Sequence, residues 1–302
     1  MAGVTDASYR QLIKRIAPEV MVYSEFLSTD ALRYGAKKTL RMMHFDPLLE
    51  RPFIVQIFGK KPEHFVEAAK VVEQMGADGI DINMGCPAAR VVSSSHGSAL
   101  MKNPELAAEL VASTASAVSI PVSVKTRLGW DSSENLIPFC EKLIAAGASA
   151  LAVHGRTFMQ KFHGEADYEP IYELKRRVQV PVIGNGDIRS GADAVAKLGN
   201  LDGVMIGRAT FGNPWVMREI VDALLHGKTV PSTMTFAEKI PFIIQHCRFA
   251  VEQKGERRGM LEMRRHLASY VKGIPGAAEL RAKLVRVESV AAVEDILGSI
   301  PL

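Results

Sequence analysis

The sequence has few cysteines and no long hydrophobic run, and both shortages narrow what the protein can be. Its 302 residues include only Cys86, Cys140 and Cys247, which are odd in number and too far apart for a CxxC metal site or a disulfide framework. No apolar run reaches the roughly 18 residues that cross a bilayer. The first residues also lack the basic and apolar segments of a signal peptide. We therefore expect a reduced, cytoplasmic protein with no bound metal and no membrane association.

The sequence also has little excess of positive over negative charge. The formal net charge is only +4, and 47% of the residues are hydrophobic. Overall charge therefore indicates neither nucleic-acid nor membrane binding, and the chain is long enough for one large core or for a large and a small domain.

What the sequence does contain is a regular alternation of short apolar runs and helix-period segments. The apolar runs are nearly continuous, as in parallel strands covered on both faces. The predicted strands are Val20–Phe26, Phe53–Phe58, Gly79–Asn83, Val122–Arg127, Ala150–His154, Val182–Asn185 and Gly203–Ile206. The predicted helices are Asp6–Ala17, Thr29–Lys37, Pro62–Met75, Asn103–Val118, Ser133–Ala146, Tyr168–Arg177 and Gly191–Leu198.

Polar residues at the strand ends decide between an open sheet and a barrel. Nearly every predicted strand ends in one, for example Gln56, Asn83 and His154. An open sheet needs such residues at one switch point only, whereas all strands of a TIM barrel open onto one mouth. We predict a TIM (β/α)8 barrel whose first strand is truncated, because Met1–Val4 resembles the tail of an eighth strand or a two-residue stub. A shortened first strand should leave neighbouring strand edges unpaired.

The alternation stops after about Thr233, where four helix-period segments follow. They are Phe236–Gln253, Glu256–Gly273, Ala277–Arg286 and Val290–Leu297. We predict a barrel domain over residues 1–232 and a helical-bundle domain over 233–302. The bundle carries eleven Lys and Arg against eight Asp and Glu. This excess fits either a polyanion-binding surface or a solvated helix face.

Two glycine loops follow the last two strands. They contain Asn185, Gly186 and Asp187 in the first and Gly207 and Arg208 in the second. Loops at this position of TIM barrels often hold a phosphate through backbone N–H groups, and an arginine adds a charge-assisted contact. The alternative is that the glycines only form tight turns, but two such loops with an arginine favour a phosphate site.

Lys125 is a costly residue in an apolar strand unless it meets an anion or an electron-rich ring. It could form a Schiff base with a carbonyl substrate, or lie beside a flavin and stabilise the negative charge of the reduced ring. Gln56 and His154 face the same predicted mouth and would suit the flavin. A buried structural role is the alternative for His154.

Cys86 lies in the turn Asn83-Met84-Gly85-Cys86-Pro87, which follows the predicted strand Gly79–Asn83. A free thiol has a reference pKa of about 8.5, so near neutral pH it is mostly protonated and can donate a proton. No Cys-His signature is visible, so a general acid fits better than a nucleophile. Cys140 and Cys247 lie on apolar helix faces and are predicted to be core residues.

Together these motifs resemble the tRNA-dihydrouridine synthases, and the bacterial B-type subfamily most closely. The resemblance covers essentially the whole chain. It is carried by Met1-Ala2-Gly3-Val4-Thr5-Asp6, Gln56, Asn83–Pro87, Val124–Arg127, His154–Thr157, Gly184–Ile188, Gly207-Arg208, Met263–Leu267 and Lys272-Gly273.

The resemblance implies an FMN enzyme that reduces uridine in tRNA with NADPH or NADH, and we expect it to be a monomer. Cys86 would protonate C5 of the uracil. The implied cofactor-binding residues are Met1, Ala2, Gly3, Gln56, Lys125, His154, Asn185, Gly186, Asp187, Gly207 and Arg208. The implied substrate-binding residues are Asn83, Arg90, Arg127, Arg156, Arg264, Arg265 and Lys272.

The loop after Cys86, residues 88–96, departs from related sequences because it is poor in lysine, which leaves Arg90 and His96 to meet phosphate. Two alternatives remain. One is an FMN barrel enzyme acting on a free pyrimidine, similar to dihydroorotate dehydrogenases. The other is an RNA-binding protein without catalysis.

Overall fold

The protein is built on one sheet of eight parallel strands. A computed structural model describes residues 1–228 and 234–300, except for the side chain of Arg90. The strands are β1 (Val22–Tyr23), β2 (Leu27–Ser28), β3 (Phe53–Phe58), β4 (Gly79–Asn83), β5 (Val122–Arg127), β6 (Ala150–His154), β7 (Val182–Asn185) and β8 (Gly203–Met205). Strand β4 is buried at all five positions, as expected for a strand covered on both faces.

Strand order follows the chain. The order is β1-β3-β4-β5-β6-β7-β8, with β2 also paired to β3, and every pairing is parallel. The parallel sheet with helices between its strands confirms the predicted barrel-type α/β fold. Among the described residues β8 pairs only with β7, so the sheet does not close onto β1. Residues 2–4 form turns, and neither the strand tail nor the stub expected at Met1–Val4 is present.

Helices connect the strands and continue after the last one. They are α1 (Ala7–Ile16), α2 (Thr29–Arg33), α3 (Lys37–Met42), α4 (Pro62–Gln74), α5 (Ala89–Val92), α6 (Pro104–Ala115), α7 (Leu136–Ala145), α8 (Glu169–Arg177), α9 (Gly191–Leu198), α10 (Val216–His226), α11 (Phe236–Lys254), α12 (Glu256–Tyr270), α13 (Ala277–Leu284) and α14 (Val290–Gly298). Two 3₁₀ helices cover Gly97–Lys102 and Arg208–Thr210.

Most predicted elements match within a few residues, and two differ for local reasons. Of the strand expected over Val20–Phe26 only β1 at Val22–Tyr23 forms, and β2 follows at Leu27–Ser28, just beyond the expected end. The helix expected over Thr29–Lys37 ends at Arg33, since Gly35 has φ +62° and the chain starts α3 after it. Left-handed glycines are common helix terminators. Helix α10 was not predicted.

The four C-terminal helices pack on the barrel through α1. His246 on α11 is fully buried; its Nδ1 lies 2.9 Å from the Tyr270 hydroxyl on α12 and its Nε2 lies 3.4 Å from Ser8 Oγ on α1. The Tyr9 hydroxyl donates to the Thr210 carbonyl at 2.5 Å. These contacts fix the helices against the side of the barrel that carries β8. The predicted domain boundary between 232 and 233 lies outside the described residues, so the division into two domains stays a prediction.

Lys254 provides a charged link across this contact, and its loss should destabilise the fold. Its ammonium pairs with Asp6, which caps α1 by accepting from Tyr9 N at 3.0 Å, and with Glu262 at 2.6 Å. We expect Lys254→Met to lower the free energy of unfolding by about 2 kcal/mol at pH 7, since a partly buried pair is broken. Arg258→Met is the control: Arg258 also pairs with Glu262, but it is exposed, and its loss should cost under about 0.5 kcal/mol.

The stability that the Asp6–Lys254 pair contributes should depend on pH. Burial opposes ionisation of Asp6, but Lys254 and Ser8 outweigh it and hold the pKa of Asp6 well below its usual range. A carboxyl with a depressed pKa stabilises the fold above its unfolded pKa and loses that contribution as the pH falls through the folded pKa. Denaturant titrations should therefore show a difference between wild type and Lys254→Met that is largest near neutrality and shrinks in strong acid. An equal difference at all pH values would contradict the assignment.

Candidate active site

A cleft of about 620 Å³ opens at the carboxyl ends of β5 to β8. Its size is typical of small-molecule sites. Nine of the residues predicted for the site line it: Met1, Lys125, Arg127, His154, Asn185, Gly186, Asp187, Gly207 and Arg208. The structure thus brings together the lysine strand, the histidine strand and both glycine loops.

The first glycine loop has a backbone that a larger residue would disturb. Gly186 has φ +123°, and a Cβ placed there would lie 2.8 Å from Ala166 Cβ and 3.1 Å from His154 Cδ2. Tyr168 donates to the Gly186 carbonyl at 2.9 Å, and Asn185 Nδ2 donates to the Met205 carbonyl at 2.7 Å. The first loop is therefore fastened to the end of β8, and the glycine lets it approach His154 closely.

Asp187 is the anion at the centre of this loop. It accepts from Arg156 at 2.5 Å and from Ala166 N at 2.9 Å, while Arg208 lies 3.4 Å away. Partial burial works against ionisation, but these donors together hold the pKa of Asp187 below its usual range. Asp187 also has φ +50°. Arg208 is 56% exposed, so its guanidinium remains available to a ligand in the cleft.

The rest of the cleft wall is rich in positive charge. Burial and the neighbouring Arg127 lower the pKa of Lys125 to about 8. Burial and the surrounding cations Lys125, Arg127, Arg156 and Arg208 hold the pKa of His154 far below its usual range, so its imidazole is neutral. Concentrated cations in a concave site attract anionic ligands.

Two buried polar atoms of the predicted site have no hydrogen-bond partner among the described residues. They are Nδ1 of His154, which lines the cleft, and Nη1 of Arg156, whose other terminal nitrogen pairs with the lining residue Asp187. Buried polar atoms are nearly always hydrogen-bonded, so an orphan pair beside a cleft points to a ligand or solvent that completes them.

Cys86 lies next to the cleft on the turn after β4 and is partly exposed. Asn83 Oδ1 accepts from the backbone N–H groups of Gly85 and Cys86 at 3.2 and 3.0 Å. Arg127 Nε donates to the Gly85 carbonyl at 2.8 Å. The turn that carries the thiol is therefore held from two sides. Asn83, Gln56 and Cys86 do not line the cleft itself, although Gly85 does.

Arg127 and Arg156 were predicted to hold substrate, and the structure shows most of their donors occupied within the protein. Arg127 Nη1 donates to the carbonyls of Thr157 and Lys161 at 3.1 and 2.9 Å. Arg156 donates to the carbonyls of His163 and Gly164 at 3.1 and 2.5 Å. Both arginines thereby fasten the loop of residues 157–164 to the cleft, and their contact with substrate stays a prediction.

Phe162 on that loop was not predicted. It is 54% exposed and lines the cleft, with Arg127 and Arg208 at 5.6 and 4.8 Å from its ring centre. Such distances are those of cation–π contacts. No strand-end pattern marks it, because it lies eight residues beyond the end of β6.

The other predicted residues are spread around the mouth. The N–H of Gly3 donates to Glu25, and the Arg265 guanidinium lies 3.4 Å from the position of a Cβ at Gly3. Arg264 instead donates to the Val287 carbonyl at 3.1 Å. Ala2 and Lys272 are exposed. Met1 and Arg265 thus approach the cleft, Arg264 faces the α13–α14 turn, and the Arg90 side chain lies outside the described residues.

Two features are absent from residues 1–228 and 234–300. No group of three or more His, Cys, Asp or Glu side chains is placed to hold a metal ion there. Within the same residues, none of the helices has the length and apolar character needed to cross a membrane.

Comparisons with known proteins agree over almost the full length. Residues 1–299 match the family described as dihydrouridine synthase. A probable tRNA-dihydrouridine synthase 1 from Synechocystis sp. is 39% identical over 98% of this chain and 83% of its own length. A tRNA-dihydrouridine synthase B from Pseudomonas syringae pv. tomato is 39% identical over 95% of this chain and 86% of its own length. A probable tRNA-dihydrouridine synthase from Rickettsia prowazekii is 37% identical, with coverages of 98% and 90%.

Proposed function

The chain belongs to the dihydrouridine synthase family, and on that premise we propose that it is an FMN-dependent reductase of uridine in tRNA. The observation that supports this best is the cationic cleft beside Cys86, which is lined by Lys125, Arg127 and Arg208 and in which Nδ1 of His154 has no hydrogen-bond partner among the described residues. An anionic, ring-bearing cofactor and a proton-donating thiol are the two parts that the reduction of a C=C bond requires.

The residues of the cleft fit FMN. The Gly186 loop and Gly207 offer backbone N–H groups without side-chain obstruction, and Arg208 is free to meet a phosphate. Lys125, partly buried, lies on β5 between Asn83 on β4 and Ala152 on β6 in the sheet register. It is positioned to face the ring of the cofactor, and Gln56 and His154 complete the set of residues that we propose to surround that ring.

When bound and reduced by NAD(P)H, FMN would supply the hydride to C6 of the uracil. Cys86 would give its proton to C5 as a general acid, and its backbone N–H, which donates to Asn83 Oδ1, would hold it in place. Asn83 and Arg156 would orient the uracil, and Arg127 would keep the turn of Cys86 in place through the Gly85 carbonyl. Lys125 would hold positive charge where negative charge develops.

A uracil inside tRNA reaches such a cleft only after it is turned out of its stack, which costs a few kcal/mol. We propose that Arg264 and Arg265 on α12, Lys272 in the turn after it, and Arg90 offset this cost by binding the RNA backbone. Binding should then weaken steeply with salt. Arg265 is the best placed, because it lies beside Gly3 at the mouth of the cleft.

The deciding experiment uses the purified full chain with FMN, NADPH and unmodified tRNA. We expect flavin absorbance bands and formation of dihydrouridine, measured by mass spectrometry of the digested RNA. Parallel reactions contain free uracil and UMP. Turnover of the free pyrimidines with no activity on tRNA would favour the alternative FMN barrel enzyme, and a protein that binds tRNA but no flavin would favour the RNA-binding alternative.

Arg208→Met tests the phosphate end of the cleft. Removing one charge-assisted contact should weaken FMN binding by about 10- to 100-fold, measured by flavin fluorescence quenching. Arg177→Met is the control, because Arg177 is an exposed arginine of α8 that pairs with Glu173 on the surface. Equal affinity in wild type and Arg208→Met would contradict the proposed phosphate contact.

A further inference from the structure

A row of three polar side chains crosses the sheet one level below the cleft. Gln56 on β3, Asp81 on β4 and Ser123 on β5 are register partners on adjacent strands. Ser123 Oγ donates to Asp81 Oδ1 at 2.7 Å, and Gln56 Nε2 donates to Asp81 Oδ2 at 2.7 Å. Asp81 is fully buried. A charged residue in such a strand is costly and needs a reason.

The carboxylate determines how the two following amides are oriented. It can only accept hydrogen bonds, so it requires the NH₂ end of Gln56. Gln56 Oε1 then accepts from Asn83 Nδ2 at 2.8 Å. Asn83 Oδ1 is in turn left to accept from the N–H groups of Gly85 and Cys86. Each hydrogen bond in this chain determines which atom of the next side chain donates and which accepts.

We propose that Asp81 is a positioning residue for the reaction, acting through Gln56 and Asn83 to hold the Cys86 turn in place. The role of Cys86 as proton donor rests on the proposed function, whereas the chain of hydrogen bonds is independent of it. This role requires a hydrogen-bond acceptor at position 81 that faces Gln56. It does not require a negative charge there.

Two substitutions distinguish a requirement for a hydrogen-bond acceptor at position 81 from a requirement for a negative charge there. Asp81→Leu removes the acceptor and leaves Gln56 Nε2 without a partner. Asp81→Asn removes the charge but can keep the chain, since its Oδ1 can accept from Gln56 while its Nδ2 donates to Ser123 Oγ. Asp78→Leu is the matched control: Asp78 precedes the same strand and accepts from Phe53 N at 2.8 Å, away from the Cys86 turn.

The rate at which iodoacetamide alkylates Cys86 reports on the turn directly. Cys140 and Cys247 do not compete, because both are fully buried. We expect Asp81→Leu to speed alkylation by about fivefold, the factor for loss of one net hydrogen bond, while Asp81→Asn and Asp78→Leu stay within about twofold. In the tRNA assay, Asp81→Leu should lower kcat about tenfold or more with little change in KM, and Asp81→Asn should restore it.

If Asp81→Leu does not fold, Gln56→Met breaks the same chain while leaving Asp81 and Ser123 paired, and it should raise the alkylation rate similarly. Unchanged alkylation in either folded variant, or an equal change in Asp78→Leu, would overturn the proposal. Alkylation is measured without tRNA or reductant. A wild-type protein that forms no dihydrouridine would therefore refute the proposed function. The alkylation rates would still test whether Asp81 holds the Cys86 turn.

Discussion

Cys86→Ala should bind FMN normally and form dihydrouridine at least ~100-fold more slowly than wild type, the usual effect of losing a general acid. The cofactor site should survive because the turn is held through backbone groups: Asn83 accepts from Cys86 N, and Arg127 donates to the Gly85 carbonyl. Oxidation of NADPH by the bound flavin should likewise remain near the wild-type rate, since it needs no proton from the thiol.

Cys140→Ala is the control for loss of a thiol. Burial raises the pKa of Cys140 to about 12, and the residue is on α7, so activity should be kept.

A denaturing analysis of the wild-type reaction distinguishes a nucleophilic Cys86 from a Cys86 that acts as a general acid. A nucleophile would leave a covalent protein–tRNA adduct that survives denaturation, whereas an acid would not. Full activity of Cys86→Ala would contradict both.

Sequence predicted the barrel well because parallel strands have a local signature. Strands β3 to β7 were placed to the residue, and the polar residues that end β5, β6 and β7 line one cleft. Helix α10 was not predicted, although Val216, Ile220 and Ala223 recur at helical spacing on its buried face. The split of β1 from β2 depends on pairing with β3, which is a long-range contact that no local pattern reports.

Nine of the predicted site residues line the cleft, and their roles stay predictions. Lys125 was recognised because a lysine in an apolar strand is costly, and the same argument applied to Asp81 would have flagged it inside Gly79-Ile80-Asp81-Ile82. What sequence cannot give is the partner of each polar atom. The carbonyls that occupy Arg127 and Arg156 belong to loop residues 157–164, whose path depends on two positive-φ positions, Lys161 and Gly164.

Lys125→Met should lower the rate of uridine reduction by about 100- to 1,000-fold, as expected when a charge aimed at developing negative charge is removed. The substitution keeps the length and apolar stem of the side chain, so packing within β5 should change little. The fold should tolerate it, because the lysine ammonium makes only a weak 3.5 Å contact with the Thr126 carbonyl.

The lowered pKa of Lys125 provides a second readout. Because burial and Arg127 bring it to about 8, the free protein loses this charge above pH 8 instead of near the reference value of about 10.4. If the charged lysine contacts FMN, binding above pH 8 must include uptake of a proton. Affinity should then fall by up to about tenfold per pH unit. Measured between pH 7 and 9.5, this slope should be present in wild type and in Cys86→Ala, which excludes the thiol as its source. It should be absent in Lys125→Met, and a slope that persists there would place the titrating group elsewhere in the cleft.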